Sequence, residues 1–154
     1  MVVGMTVEHL VTRHVATINS NVSVVEAARE MRNRHVRALV VTDATDQKPI
    51  GILTDRDLVV GILALDLPTD GLTAGDLMTT HPFTLRPDED ADSAIRRMRG
   101  LGVRRAPVVN AAGQLAGLFS MDDYLEHLAN SLREVSILIA QERREEEKSR
   151  LALS

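Results

Sequence analysis

The feature that most constrains this chain is that it is written twice. Slid on itself by 67 positions, it places Leu10 on Leu77, Thr12 on Thr79, His14 on His81, Thr17 on Thr84, Ala27 on Ala94, Met31 on Met98, Val36 on Val103 and Arg37 on Arg104. The loop ATDQKP is one residue longer than its counterpart AAGQLA, so the shift then falls to 66 and GILTDRD (51 to 57) meets GLFSMDD (117 to 123). Each ending reads glycine, two apolar residues, a hydroxyl, two intervening residues and an aspartate. Such self-similarity marks a duplicated supersecondary unit. A unit of about 60 residues buries too little surface to stand comfortably alone. Two copies sharing an interface solve this, and an approximate twofold axis between them creates two similar clefts, the kind of place where ligands bind.

Each copy carries the same elements. Val24, Ala27, Ala28 and Met31 fall at i, i+3, i+4 and i+7, and Ala91, Ala94, Ile95 and Met98 repeat the pattern, so each copy contains an amphipathic helix with a narrow apolar stripe. Ser23-x-x-Glu26 reads as a capping box for the first, and Pro87-Asp-Glu-Asp places acids at the start of the second. The β-branched runs VRALVVTD and VRRAPVVN follow, then a turn and a second strand, PIGILT or LAGLFS, and then a helix. A short extended piece, HVATI or HPFTL, precedes each first helix. The order per copy is strand, helix, strand, strand, helix, an α/β (α+β) fold. The copies are expected at residues 1–66 and 67–130, with a helical extension at 131–154.

Composition excludes several function classes. The chain has 154 residues, 44 % of them hydrophobic, with 18 Lys and Arg against 22 Asp and Glu. A net charge of −4 argues against broad nucleic-acid binding. With Phe83, Phe119 and Tyr124 as the only aromatics, there are no stacking platforms for single strands. The absence of cysteine removes disulfides, thiolate nucleophiles and cysteine-ligated metals. The longest apolar run, LVVGILAL at 58 to 65, is far shorter than the roughly 20 residues of a spanning helix. MVVGMTVEH lacks the pattern of a signal peptide, so the expectation is a soluble cytoplasmic protein without membrane contact. The five histidines have no metal-ligand spacing, and no serine sits in a nucleophile context such as G-x-S-x-G, so no catalysis and no metal are expected.

The hydroxyl-x-x-Asp ending admits two readings. Thr54 with Asp57, and Ser120 with Asp123, can each cap a helix, the carboxylate reaching back to a backbone N–H. The same geometry is an anion site at a helix amino terminus, with a carboxylate able to accept both hydroxyls of a ribose. Gly51 and Gly117 would let backbone approach a ligand closely. The readings are compatible, and the residues alone leave both open.

The order of elements, the tandem copy, MTTHPFTLRPDEDADSAIRRM, VRRAPVVN and the G-x-x-[ST]-x-x-D ending resemble a pair of CBS domains, the Bateman module named after cystathionine β-synthase, over roughly residues 5 to 130. The resemblance implies a regulatory sensor that needs no cofactor. Its expected ligand is AMP, ADP, ATP or another adenosyl compound such as S-adenosylmethionine, and such modules commonly form homodimers. Carried over by position, Asp57 and Asp123 match the ribose-binding aspartates, and Thr54 and Ser120 the hydroxyls near the phosphate. One pocket would join Asp123, Leu118, Ser120 and Arg105 to Ala16, Val36 and Arg37. The other would join Asp57, Ile52 and Thr54 to Phe83, Val103 and Arg104. Ala38 stands where the second copy has Arg105, so the Asp123 pocket is expected to bind more tightly. Val15 and Val40 replace Pro82 and Pro107, a further departure in the first copy. A rival reading keeps the fold but makes it a ligand-free dimerisation scaffold. A third makes it an adaptor acting on a transporter or enzyme in trans.

The carboxyl end exceeds the module. No Pro or Gly interrupts Met121 to Lys148, and Leu125, Leu128, Leu132, Val135, Leu138 and Ile139 keep near-helical spacing before QERREEEKSR turns polar. One long helix is expected, its stripe covered by the core, a second subunit or a protein partner, with a homodimer contact favoured.

Overall fold

The computed structural model describes residues 4–152. The chain forms two compact units, the first ending at Ser120 and the second beginning at Met121. In the first unit, β1 (Thr17–Asn19), α1 (Val24–Arg34), β2 (Ala38–Thr42), β3 (Pro49–Thr54) and α2 (Asp55–Gly61) make the first copy. After α3 (Ala74–Leu77) and β4 (Thr79–Thr80), the second copy supplies α4 (Ala91–Leu101), β5 (Arg105–Val109) and β6 (Leu115–Ser120). The second unit is one helix, α5 (Met121–Ala152).

The two long helices of the first unit start and stop alike. Ser23 Oγ accepts the Glu26 N–H at 3.1 Å, and Asp90 accepts the Ser93 N–H at 2.8 Å, each satisfying a donor that the helix itself cannot. Both helices end on a residue in the left-handed region, His35 at φ 54° and Gly102 at φ 68°. The buried stripe is narrower than the spacing suggests. Val24, Ala27 and Met31 are buried, as are Ala91, Ala94 and Met98, while Ala28 is exposed and Ile95 half-buried.

β1 and β2 are parallel, β2 and β3 antiparallel, β3 and β4 antiparallel; β5 and β6 form an antiparallel pair. The register slips at the same place in both copies, between Val41 and Thr42 and between Val108 and Val109. HPFTL, expected as a strand, joins β5 through a single bridge, Leu85 to Val108. The reason lies in Pro107. In the first copy Val40 donates its N–H to Ala16 at 3.0 Å, a bond that Pro107, with no N–H, cannot repeat. The first-copy core packs Leu39, Val41 and Leu53 against Ala27 and Met31, and in the second copy Val108 and Phe119 are buried with Ala94 and Met98.

The copies are joined by exchanged segments. Residues leading into the second copy add to the first: β4 pairs with β3, Ala74 N–H reaches Val22 O at 2.8 Å, and Gly75 N–H reaches Ser20 O at 2.8 Å. Residues leading into the first copy add to the second: Thr12 and Leu118 exchange two bonds of 3.0 Å, Val7 N–H reaches Glu89 O at 2.9 Å, and Glu8 N–H reaches Pro87 O at 3.0 Å. Val7 and Ala74, equivalent by the repeat, are both fully buried.

This exchange explains the two motif glycines. A Cβ on Gly51 would collide with the Met78 thioether and lie 3.1 Å from Thr79 O; one on Gly117 would collide with Val11 and lie 3.1 Å from Thr12 O. The glycines admit a crossing chain segment rather than a ligand.

Candidate functional site

β3 places its side chains on alternate faces, so Leu53 enters the core while Ile52 and Thr54 point the other way. The exchanged segment then crosses β3, with Ile52 opposite Thr79 and His81 N–H donating to Ile50 O at 3.2 Å. His81, at φ 49°, turns the chain, and Pro82 and Phe83 follow into the space beside Thr54. Leu101 closes α4, and Val103, Arg104 and Arg105 lead into β5 on the far side. A cleft of about 340 Å³ results between the copies, lined by Ile52 and Thr54 from the first and by Thr79, His81, Pro82, Phe83, Leu101, Val103, Arg104 and Arg105 from the second.

Its walls are largely apolar, and its polar residues are few: Arg104, Arg105, His81, Thr54 and Thr79. Arg97 stacks over the Phe83 ring at 4.8 Å from its centroid and is itself paired with Glu89, which holds the ring in place.

Thr54 ends β3 and caps α2 through a complete reciprocal box. Thr54 Oγ1 accepts the Asp57 N–H at 3.2 Å, while Asp57 Oδ2 accepts the Thr54 N–H and the Thr54 hydroxyl, both at 2.7 Å. Thr54 lines the cleft. Asp57, half-buried in the first turn of α2, stands behind it.

Ile52, Thr54, Phe83, Val103 and Arg104, the five residues expected around Asp57, line one cleft, and Asp57 itself is not among its lining residues. Arg105 does not follow its assignment. It lines this cleft beside Arg104. Position matching missed Thr79, His81, Pro82 and Leu101; the pairing of Gly51 with Thr80 is what brings their segment here.

Of the residues expected in the other pocket, Ala16 and Ser120 are buried, Val36 and Leu118 are half-buried, and Arg37 is exposed. Arg37 Nε donates to Asp55 Oδ2 at 3.0 Å, and its carbonyl accepts the Asp55 N–H at 3.1 Å. The second copy has Met121 where the first has Asp55. Asp123 lies in the first turn of α5.

Among the described residues, no three His, Cys, Asp or Glu side chains come together as a metal site, and no helix is long and apolar enough to cross a membrane. The arrangement suits an elongated ligand with a flat apolar body and an anionic end.

The CBS domain family model matches residues 7–64 and 74–130. Among characterised and uncharacterised sequences, the chain is 32 % identical over 123 residues to the uncharacterized protein MK0525 of Methanopyrus kandleri, spanning 80 % of this chain and 62 % of that one. The hexameric CBS-CP12 protein from bloom-forming cyanobacteria superimposes with a TM-score of 0.73 at 25 % identity, covering 80 % of this chain and 67 % of the other. The CBS domain pair of protein MJ0100, crystallised with 5′-methylthioadenosine and S-adenosyl-L-methionine, gives a TM-score of 0.74 at 23 % identity over 83 % of this chain and 98 % of its own.

Proposed function

Because this chain belongs to the CBS-domain family and carries two tandem copies, we propose that it is a regulatory sensor that takes an adenosyl nucleotide into the cleft between Thr54 and Arg104–Arg105. The observation that carries the reading is that Arg104, Arg105 and His81 line the same largely apolar cleft as Thr54, which caps a helix start. Adenine rests against Ile52, Val103 and Phe83. The ribose hydroxyls go to the Asp57 carboxylate, and Thr54, Arg104 and Arg105 take the phosphates of AMP, ADP or ATP. Asp123, at the same place in the second motif, is proposed as a further ribose ligand on sequence equivalence. The adenosyl ligands of the MJ0100 pair are compatible with this ligand class.

A sensor must couple occupancy to arrangement, since a ligand indifferent to the arrangement of the copies shifts nothing. The cleft is built from both copies, with one wall supplied by an exchanged segment, so a ligand spanning it favours one spacing of the copies over others. The output is a change in homodimer geometry or in affinity for a protein partner. Exposed Val59, Val60 and Leu63 supply apolar surface for such an assembly.

A second reading is the ligand-free scaffold, favoured by the Thr54–Asp57 box, which is complete without any ligand. Thermal unfolding across AMP, ADP, ATP, S-adenosylmethionine and a guanine control separates the two. A ligand at 100 times its Kd adds about 2.7 kcal/mol of stability. A rise in Tm with an adenosyl compound that is lost in Arg104→Ala/Arg105→Ala supports the sensor. No shift with any compound supports the scaffold.

A further inference from the structure

Helix α5 carries apolar residues at alternating spacings of four, three, four, three and four: Met121, Leu125, Leu128, Leu132, Val135 and Ile139. That is a heptad seam, with Leu125, Leu132 and Ile139 at a and Met121, Leu128 and Val135 at d. Beyond Met121 its residues are exposed, from 38 % at Leu128 to 69 % at Leu132. We propose that two copies of this chain pair α5 against α5 as an antiparallel coil whose twofold axis passes beside Asn130.

The argument is one of register. An antiparallel pair centred on residue 130 opposes Met121 to the partner's Ile139, Leu125 to the partner's Val135 and Leu128 to the partner's Leu132, and symmetry repeats all three layers. Every layer is apolar. The overlap runs from 121 to 139, about 27 Å of helix, and the seam stops at Ile139 because the partner helix begins at Met121. At the axis the flanking positions are Ala129 and Ser131, each facing its own copy, so small residues let the helices approach. Farther out, Asp122 comes beside the partner's Ser136, and Tyr124 beside the partner's Leu138.

A parallel coil in register fails where this one succeeds. It would pair the entire helix and continue the seam into Glu142 and Glu146, setting each against its own copy as like charges in the core positions. A twofold antiparallel contact also uses one surface on both subunits and closes at two.

The contact rests on the homodimer part of the function proposed above and is independent of the nucleotide. Because the chain has no cysteine, a single introduced thiol reports the geometry. Wild type should sediment as a dimer. Leu128→Asp/Leu132→Asp, with α5 helicity checked by circular dichroism, should raise the dimer Kd at least about a hundredfold by placing four charges in the two central layers. Ile137→Asp, an exposed residue off the seam, should not. Ala129→Cys should cross-link to its copy with a short bismaleimide, and Glu146→Cys should not. Equal cross-linking at both positions would mean a parallel coil and overturn the proposal. A dimer that survives the double substitution and does not cross-link at 129 overturns this interface while leaving the homodimer standing elsewhere. A monomeric wild type removes both, and the thermal response to adenosyl ligands remains a separate readout.

Discussion

The Thr54 hydroxyl and the Asp57 carboxylate close on each other, 2.7 Å from Oγ1 to Oδ2, while the Thr54 N–H reaches the same carboxylate oxygen at 2.7 Å. All the carboxylate bonds described fall on Oδ2, so structural and ligand roles can coexist on one side chain. Asp57→Ala should lower stability in the absence of nucleotide by about 1 kcal/mol, the usual loss from a broken cap. If Asp57 also takes ribose hydroxyls, the same variant loses a further roughly 1.5 to 3 kcal/mol in binding, tenfold or more in Kd. Calorimetric titration beside urea unfolding measures both. A change in stability with unchanged affinity would leave Asp57 a helix cap alone.

Arg104 and Arg105 line one cleft together, and if that cleft takes the proposed nucleotide, its affinity should depend on phosphate number. Arg105→Ala should weaken ATP more than AMP, because a guanidinium gains more from a more highly charged partner. Added salt should narrow the difference, since these groups lie near the surface. Equal losses for both nucleotides would place Arg105 against the nucleoside or in a structural role.

The exchanged segment before the second copy is itself capped. Asp76 Oδ2 accepts the Thr73 N–H at 2.8 Å and the Thr73 hydroxyl at 2.9 Å, and these bonds, the backbone one first, hold the carboxyl below its ordinary range. A carboxyl whose folded pKa is depressed contributes stability above its unfolded pKa, and that contribution is lost as the pH falls through the folded value. Wild type should therefore lose more stability than Asp76→Asn between neutral and strongly acidic pH. Urea midpoints over that range should converge at the acid end. Parallel curves would mean that the box contributes nothing to folding.

Local features of the chain were legible because they repeat within a few residues. The α1 and α4 stripes, the Thr54 box and the uninterrupted α5 all follow from spacing and capping chemistry. The exchange of segments was not, since identical residues at 12 and 79 say nothing about which copy each joins. HPFTL failed as a strand through a missing donor on Pro107, which lies far along the chain. Position matching did not place Arg105 beside Arg104, because the two straddle the start of β5, where the alternation of faces that sorts strand residues has not yet begun.

His35 and Gly102 occupy equivalent places after α1 and α4, and both adopt the left-handed conformation. Such a conformation costs a residue with a Cβ roughly 1 to 2 kcal/mol, partly offset by the extra freedom that glycine has when unfolded. His35→Gly should therefore stabilise by up to about 1 kcal/mol, and Gly102→Ala should destabilise by a similar amount. No atom lies within 4 Å of a Cβ at Gly102, so its cost is purely conformational. Chemical denaturation of both variants tests this, and opposite signs are required.

Gly51 and Gly117 test the exchange itself. Each lies under the segment leading into the other copy, with the crossing carbonyl 3.1 Å from where a Cβ would be. Alanine at either position forces the crossing segment away and should destabilise by about 1 to 3 kcal/mol, the usual range for overpacking. Because Met78 meets Gly51 with a flexible thioether and Val11 meets Gly117 with a stiff branched side chain, Gly117→Ala should be the more damaging. Shortening the clashing side chain should rescue part of the loss, so Gly117→Ala/Val11→Ala should recover relative to the sum of its single variants. Strict additivity in that double-mutant cycle would mean that Val11 and residue 117 do not meet, and that the segments are not exchanged.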